Sequence, residues 1–414
     1  MNKVRSLMLR LALKGTDLTL ASPEGWPVLG PGPTWAKVPV REDTQLQISA
    51  AFSAIRLIGE TVGTLPLRLM RKTEKGTERM VKDPRYALVH DQPNEYMTAV
   101  EWKEAMTVSL ATMGQSYNYV EAFESTGRVL SIQPVHKSRV QPEVQRDGAI
   151  VYWLTKRDGS RVGLPRPRIC PIRGFGGVGE LEGYAPHRLH ANSLALTVAV
   201  EKYGAEFFGS GARPTGVITT KTEFGEKSRE QIRQNFAKYM RESWLKGELP
   251  VLDADTQYQA VTTPNNDAQF IETRKLQIAE VARIYRVPLH MLMEMDKASY
   301  ANTEQANKHF LDYTLLSYLR RIEAGLDSSL LNAQERSSGM FFQFDVRSLL
   351  RGDSTQRAGY YVQMRNAGAI TQNEIRDLED MPRIDGADDL HVPLNMAPSD
   401  MLADYLSGKN QGAS

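Results

Sequence analysis

SAAFSAIRLIGETVGTLPLRLM, residues Ser49 to Met70, changes its hydrophobic period once, and that change decides the fold class. Ile48, Phe52, Ile55, Ile58 and Val62 recur at steps of three and four, so a helix from Leu46 to Val62 has one buried face. Gly63 is expected to stop it. Leu65, Leu67 and Leu69 then alternate with their neighbours as a half-buried strand does.

Further along, Thr98 and Glu101 form a capping box that opens a second helix, with Trp102, Met106 and Met113 among its apolar positions and Gly114 at its end. The texture then turns to short strands at Tyr117 to Ala122, Val129 to Val135, Val140 to Val144 and Ala149 to Thr155. Asp147-Gly148 and Asp158-Gly159 supply the positive φ angles of tight hairpins, so this half is α+β with an antiparallel sheet.

A helix from about His187 to Phe208 follows, closed by Gly209 and Gly211. A compact insert comes next, with strands at Gly216 to Thr220, Leu249 to Leu252 and Tyr258 to Val261. Its helix opens at Ser228 and Gln231, buries Ile232, Phe236 and Met240, and stops at Gly247. Another helix runs from Asn266 to Arg286, where Val287-Pro288 ends it. The longest spans Asn302 to Asn332 and would reach about 45 Å, enough to cross a whole domain or touch a neighbouring subunit. Short helices at Asp353 to Asn366 and Thr371 to Met381 precede a loose tail. Upstream of Arg41, Gly25, Pro27, Gly30, Pro31, Gly32 and Pro33 read as a linker. The opening MNKVRSLMLRLALKG is broken by Arg10 and Lys14, which favours a short amphipathic helix or frayed end over a signal peptide.

The 414 residues leave room for two to four domains, and 41% hydrophobic with 24% charged residues is globular chemistry. With 51 basic and 49 acidic residues the formal charge is only +2, which argues against tight binding through phosphate neutralisation. Cys170 is the sole cysteine, so no disulfide can close within the chain, and a reducing compartment is expected. His187 and His190 form the nearest approach to a ligand pair, without a third ligand at a recognisable spacing. No apolar run is long enough to span a bilayer, and no membrane partner is expected.

Gly174-Phe175-Gly176-Gly177-Val178-Gly179 matches the dinucleotide fingerprint literally. That motif works only between a strand and a helix, and here Glu180, Gly183 and Pro186 follow. A glycine loop without cofactor is the better reading. Gly408-Lys409 lacks the rest of a phosphate-binding loop, no nucleophile elbow is present, and Asp388-Asp389 reads as solvated charge. Neither a cofactor nor catalysis is expected. PLHMLMEMDKASYA, Pro288 to Ala301, admits two readings. Its methionines fill gaps at a packed helix end, or they stand on an exposed loop that meets a partner; spacing alone favours the first.

Six blocks in order resemble the portal proteins, or head–tail connectors, of long-tailed (lambdoid, siphovirus-type) bacteriophages. They are SAAFSAIRLIGETVGTLPLRLM, LVHDQPNEYMTAVEWKEAM (Leu88 to Met106), EFFGSGARPTGVI (Glu206 to Ile218), ETRKLQIAEVARIYRVPLHML (Glu272 to Leu292), YANTEQANKHFLDYTLLSYLRRIEAGLD (Tyr300 to Asp327) and LLRGDSTQRAGYYVQMRNAGAITQNEIRDLEDMPRIDGADD (Leu349 to Asp389). Ile169-Cys170-Pro171-Ile172 departs from the pattern, which would place a strand leading to a histidine there.

The resemblance implies an α+β subunit with an arm at 1–43, a wing at 44–185 and stem helices at 186–211 and 263–287. A small α/β clip would occupy 212–262, a tunnel loop 288–301, the wing-crossing helix and a strand 302–349, a helical crown 350–390 and a tail 391–414. It implies a ring, normally of twelve copies at a capsid vertex, through which double-stranded DNA is packaged and ejected without sequence reading. Implied partners are the terminase large subunit, the head–tail adaptor, and the major capsid and scaffold proteins, with synthesis in the host bacterial cytoplasm. The tunnel loop would offer Met291, Met293, Glu294, Met295, Lys297 and Ser299, which reverses the reading favoured by spacing. The clip would offer Lys221, Arg229, Arg233, Lys238 and Arg241 to a partner, and the subunit interface Arg274, Lys275, Leu319 and Ile322. The competing readings are a nucleotide-cofactor oxidoreductase on the glycine loop and a capsid protein without a channel.

Overall fold

A computed structural model describes residues 34–74, 76–122, 128–176, 179, 181–209, 216–220, 225–226, 229–231, 234, 256–260, 266–293, 308–346, 354–379 and 381–390. The expected linker, clip helix, clip strand at Leu249 to Leu252 and tail fall wholly or largely outside these residues.

Two helices, α1 (Glu42–Gln47) and α2 (Ser49–Thr64), replace the single one expected, because Ile48 between them is extended. Gly63 does not stop α2. It lies inside the helix, where a Cβ would come within 2.4 Å of the Glu104 side chain, so Gly63 serves close packing. The helix ends at Leu65, which Pro66 holds in the extended region. Phe52, expected in the core, is 47% exposed, since α2 buries Ala51, Ala54, Ile55, Ile58, Gly59 and Val62 instead.

Strand β1 (Leu67–Thr73) pairs with the short β2 (Gly76–Arg79), and α3 (Pro84–His90) follows with Asp83 as its cap. Helix α4 (Ala99–Met113) carries the expected Thr98–Glu101 capping box and ends on Gly114 in the left-handed region. Then come β3 (Gln115–Ala122), β4 (Val129–Val135), β5 (Val140–Val144), β6 (Ile150–Thr155), β7 (Arg161–Leu164) and β8 (Ile169–Arg173). Both Asp-Gly turns form as expected, with Gly148 at φ 83° and Gly159 at φ 82°. Ile169 to Ile172 lie within strand β8, paired to β3.

Helices α5 (Pro186–Leu189) and α6 (Ala191–Gly209) lead to an antiparallel pair, β9 (Gly216–Thr220) and β10 (Thr256–Ala260). Helix α7 (Asn266–Tyr285) returns. The long helix is described from residue 308; a π-turn, Leu311–Leu315, precedes α8 (Leu316–Leu330). It stops at Leu330, and Asn332 caps the separate α9 (Ala333–Ser337). Strand β11 (Met340–Phe344), α10 (Ser354–Asn366) and α11 (Gln372–Leu378) complete the described chain.

The sheets are small and antiparallel, in the orders β11-β1-β2, β4-β3-β8, β5-β6-β7 and β9-β10. The main core joins both halves of the sequence. Leu67 and Leu69 face Phe344 and Phe342 across the β1–β11 register, over buried Trp102, Met106, Leu319 and Ile322. A second core under β5-β6-β7 gathers Tyr117, Tyr152, Leu154 and Ile169.

Candidate functional site

Of the expected binding residues, Arg274 and Lys275 lie on α7, and Met291 and Met293 on the turn that follows it. Leu194 and Ala195 root α6 in the main core, and Val281 and Tyr285 root α7. Farther out, Arg274 bonds Glu201 at 2.8 Å and the Phe270 ring covers Gly204, where a Cβ would lie 2.6 Å from it. Arg274 thus ties α7 to α6 within the subunit. Lys275 is exposed. Leu196, Tyr203, Ile271 and Leu276 stand 52–60% exposed on these two helices. These exposed apolar side chains were not read in the sequence as a binding surface.

Leu319 and Ile322, the other expected interface residues, are 1% and 0% exposed and lie in the subunit's own core. A single amphipathic stripe does not tell burial by one's own chain from burial by a neighbour's. Here α8 packs on β8 and β11, which corrects the interface reading of both residues.

The turn after α7 is a Schellman ending. Val287 N–H donates to Ala282 O and Arg286 N–H to Arg283 O, with Arg286 at φ 58° where glycine is usual. Thr314 Oγ1, placed by the π-turn, donates to Arg286 O at 2.6 Å. A 3-10 turn, Leu289–Leu292, then leads to Met293 at φ 62°. Met291 packs against the main core, while Met293 is 86% exposed. The two methionines differ in role. Glu294, Met295, Lys297 and Ser299 lie outside the described residues, as do Lys221, Arg233, Lys238 and Arg241; Arg229 is exposed.

The glycine loop has a packing role. Gly174 N–H donates to Gly114 O at 2.9 Å, and a Cβ on Gly183 would lie 2.2 Å from Gly114 O. Three glycines thus bring three backbone segments into contact, and the chain leaves by turns to α5 rather than by a helix starting at the loop. His187 is buried with Nδ1 3.0 Å from Thr112 O, and burial lowers its pKa. Cys170 is also buried, which pushes its thiol up to about 11. Among the described residues no His, Cys, Asp and Glu group of three or more could hold a metal, and no helix is long and apolar enough to cross a membrane.

The family model described as phage portal protein matches residues 49–380. The chain belongs to the phage portal protein family. Within it, the portal protein of Enterobacteria phage HK97 is 30% identical over 379 residues, covering 90% of this chain and 88% of the relative. The probable portal protein of Streptomyces phage phiC31 is 28% identical, covering 85% and 79%. Among solved structures, an HK97-family portal protein from Corynebacterium diphtheriae superposes with a TM-score of 0.57 at 16% identity, covering 76% of this chain and 98% of that one. The neck of a native gene transfer agent particle, computed with C12 symmetry, gives 0.57 at 21% identity, covering 88% and 100%. The mixed helical and antiparallel-sheet architecture is the portal fold.

Proposed function

We propose that the chain is one subunit of a ring at a capsid vertex, whose central channel passes double-stranded DNA during packaging and ejection. The observation that carries this is the portal family match, which runs from α2 through α11 and so includes both the body and the α6–α7 pair. Leu196, Tyr203, Ile271 and Leu276 supply what a ring needs, apolar side chains that stand exposed on the subunit.

In this reading 1–43 is the arm, 44–185 and 302–349 form the wing, and 186–211 with 263–287 form the stem. Residues 212–262 are the clip, 288–301 the tunnel loop, 350–390 the crown and 391–414 the tail. Arg229, with Lys221, Arg233, Lys238 and Arg241, faces the terminase large subunit or the head–tail adaptor; the wing meets capsid and scaffold proteins. Met293 leads the tunnel loop, and Lys297 offers a screened phosphate contact that carries no base information. The net charge of +2 suits a conduit through which DNA slides. The protein acts as a structural channel, made in the host cytoplasm, rather than as a catalyst.

Negative-stain imaging and sedimentation of the purified full chain test the proposal. Rings with a central hole are the expected result. A monomer or dimer at every concentration and salt tried counts against it.

A further inference from the structure

A cleft of about 510 Å³ opens where α5, the end of α7, the π-turn and the glycine loop meet. Its lining includes Phe175, Tyr184 and Tyr318 with the Arg286 and Arg321 guanidinium groups, and no carboxylate. Arg321 Nη1 donates to Gly174 O at 2.8 Å, while Arg286 is exposed and forms no ion pair among the described residues. Phe175 is 72% exposed at the rim and Leu189 45%. Aromatic walls with uncompensated positive charge suit an extended, proline-bearing peptide with an acidic residue.

This chain carries a segment of that composition immediately before its first described residue, Thr34. Thr34 and Lys37 close a tight turn, with Lys37 N–H donating to Thr34 O at 2.7 Å and Val38 N–H to Thr34 Oγ1 at 3.0 Å. Trp35 N–H in that turn donates to Asn192 Oδ1 at 3.2 Å, two residues beyond His190 in the cleft lining. The residues before the turn read Glu24-Gly25-Trp26-Pro27-Val28-Leu29-Gly30-Pro31-Gly32-Pro33. Fully extended, the eight steps from Trp26 to Thr34 reach about 26 Å, ample for a neighbouring site.

We propose that residues 24–33 dock in this cleft of their own subunit, with Trp26 and Pro27 against the aromatic walls and Glu24 paired with Arg286. The inference is independent of ring formation, because the anchoring turn brings the segment to its own cleft. The arm then straps α5 to the turn that begins the tunnel loop.

The test uses the full chain with photoreactive benzoylphenylalanine incorporated at position 26, irradiated and mapped by mass spectrometry. Cross-links to Phe175, Tyr184 or Tyr318 within a species of single-subunit mass are expected. Arg286→Glu should lower their yield at least fivefold, and adding Glu24→Arg should restore it; unchanged melting of the variants separates this from misfolding. Cross-links to a neighbouring subunit, cross-links only outside the cleft, or a yield indifferent to residue 286 would each overturn the proposal.

Discussion

Arg85 ties two distant parts of the chain together at a single side chain. Its guanidinium bonds Asp83 Oδ2 at 2.7 Å, Glu335 Oε1 at 2.7 Å and the Leu330 carbonyl at 2.9 Å, and its side chain is only 15% exposed. Burial would raise the Asp83 carboxyl, but hydrogen bonds and charge from Arg85 outweigh it and hold the pKa below the usual carboxylate value. The Glu335 carboxyl is lowered chiefly by its hydrogen bond to Arg85. Depressed carboxylates contribute stability that is fully present above their ordinary values and is lost as pH falls through the depressed ones. Arg85→Met should therefore cost about 2–3 kcal/mol near neutral pH, below the cost for fully enclosed pairs because this cluster is partly wet. The deficit should shrink in acid, and urea unfolding at pH 7 and pH 3 checks it; an equal deficit at both would exclude the linkage. Nothing in the sequence pointed to this cluster, since its partners lie 250 residues apart. The capping residues Thr98 and Glu101, three positions apart, were legible for the opposite reason: their chemistry is local.

At the scale of elements, β11 is an edge strand that borrows its missing partner from a helix. Asp327 Oδ1 accepts from Phe342 N–H at 2.7 Å and Glu323 Oε1 from Phe344 N–H at 2.8 Å, so two carboxylates one turn apart on α8 satisfy the open edge. Burial raises both carboxyls above their ordinary values, so here stability rises as pH falls from neutral into the raised values, opposite in sign to the Arg85 cluster. Glu323→Ala leaves the Phe344 N–H buried without an acceptor and should cost about 1–3 kcal/mol. Glu323→Gln keeps an acceptor without a buried charge and should stay within about 1 kcal/mol of the parent. Denaturant midpoints of both variants decide it; equal losses would mean that the charge, not the acceptor, matters. This clamp follows from the helix stripe only after β11 is placed, and the alternation in Leu65 to Leu69 named β1 without naming its partner. Gly63 and Phe52 were misread on the same ground. A period identifies a buried face, but the approach of α4 decides which of its residues are covered.

For the whole molecule, the contrast between α8 and the α6–α7 pair separates folding from assembly. The long amphipathic stripe of α8 signalled burial, and the chain buries Leu319 against its own sheets. Leu319→Asp places an unpaired charge in the core, costs several kcal/mol and should abolish soluble folded protein altogether. Leu276 on α7 is 60% exposed, so Leu276→Asp removes nothing from the subunit core. If the helix pair is where copies meet, Leu276→Asp combined with Ile271→Asp should preserve the helical circular-dichroism signal and melting of the subunit. In the ring the same positions would lose water, and a desolvated, unpaired carboxylate would oppose association at every repeat of the interface. Sedimentation velocity should then show slowly sedimenting subunits where the parent chain forms large rings. Rings of parental size from the double variant would move the interface away from these helices while leaving the fold untouched. Loss of folding along with assembly would mean that the exposed face also supports the subunit itself.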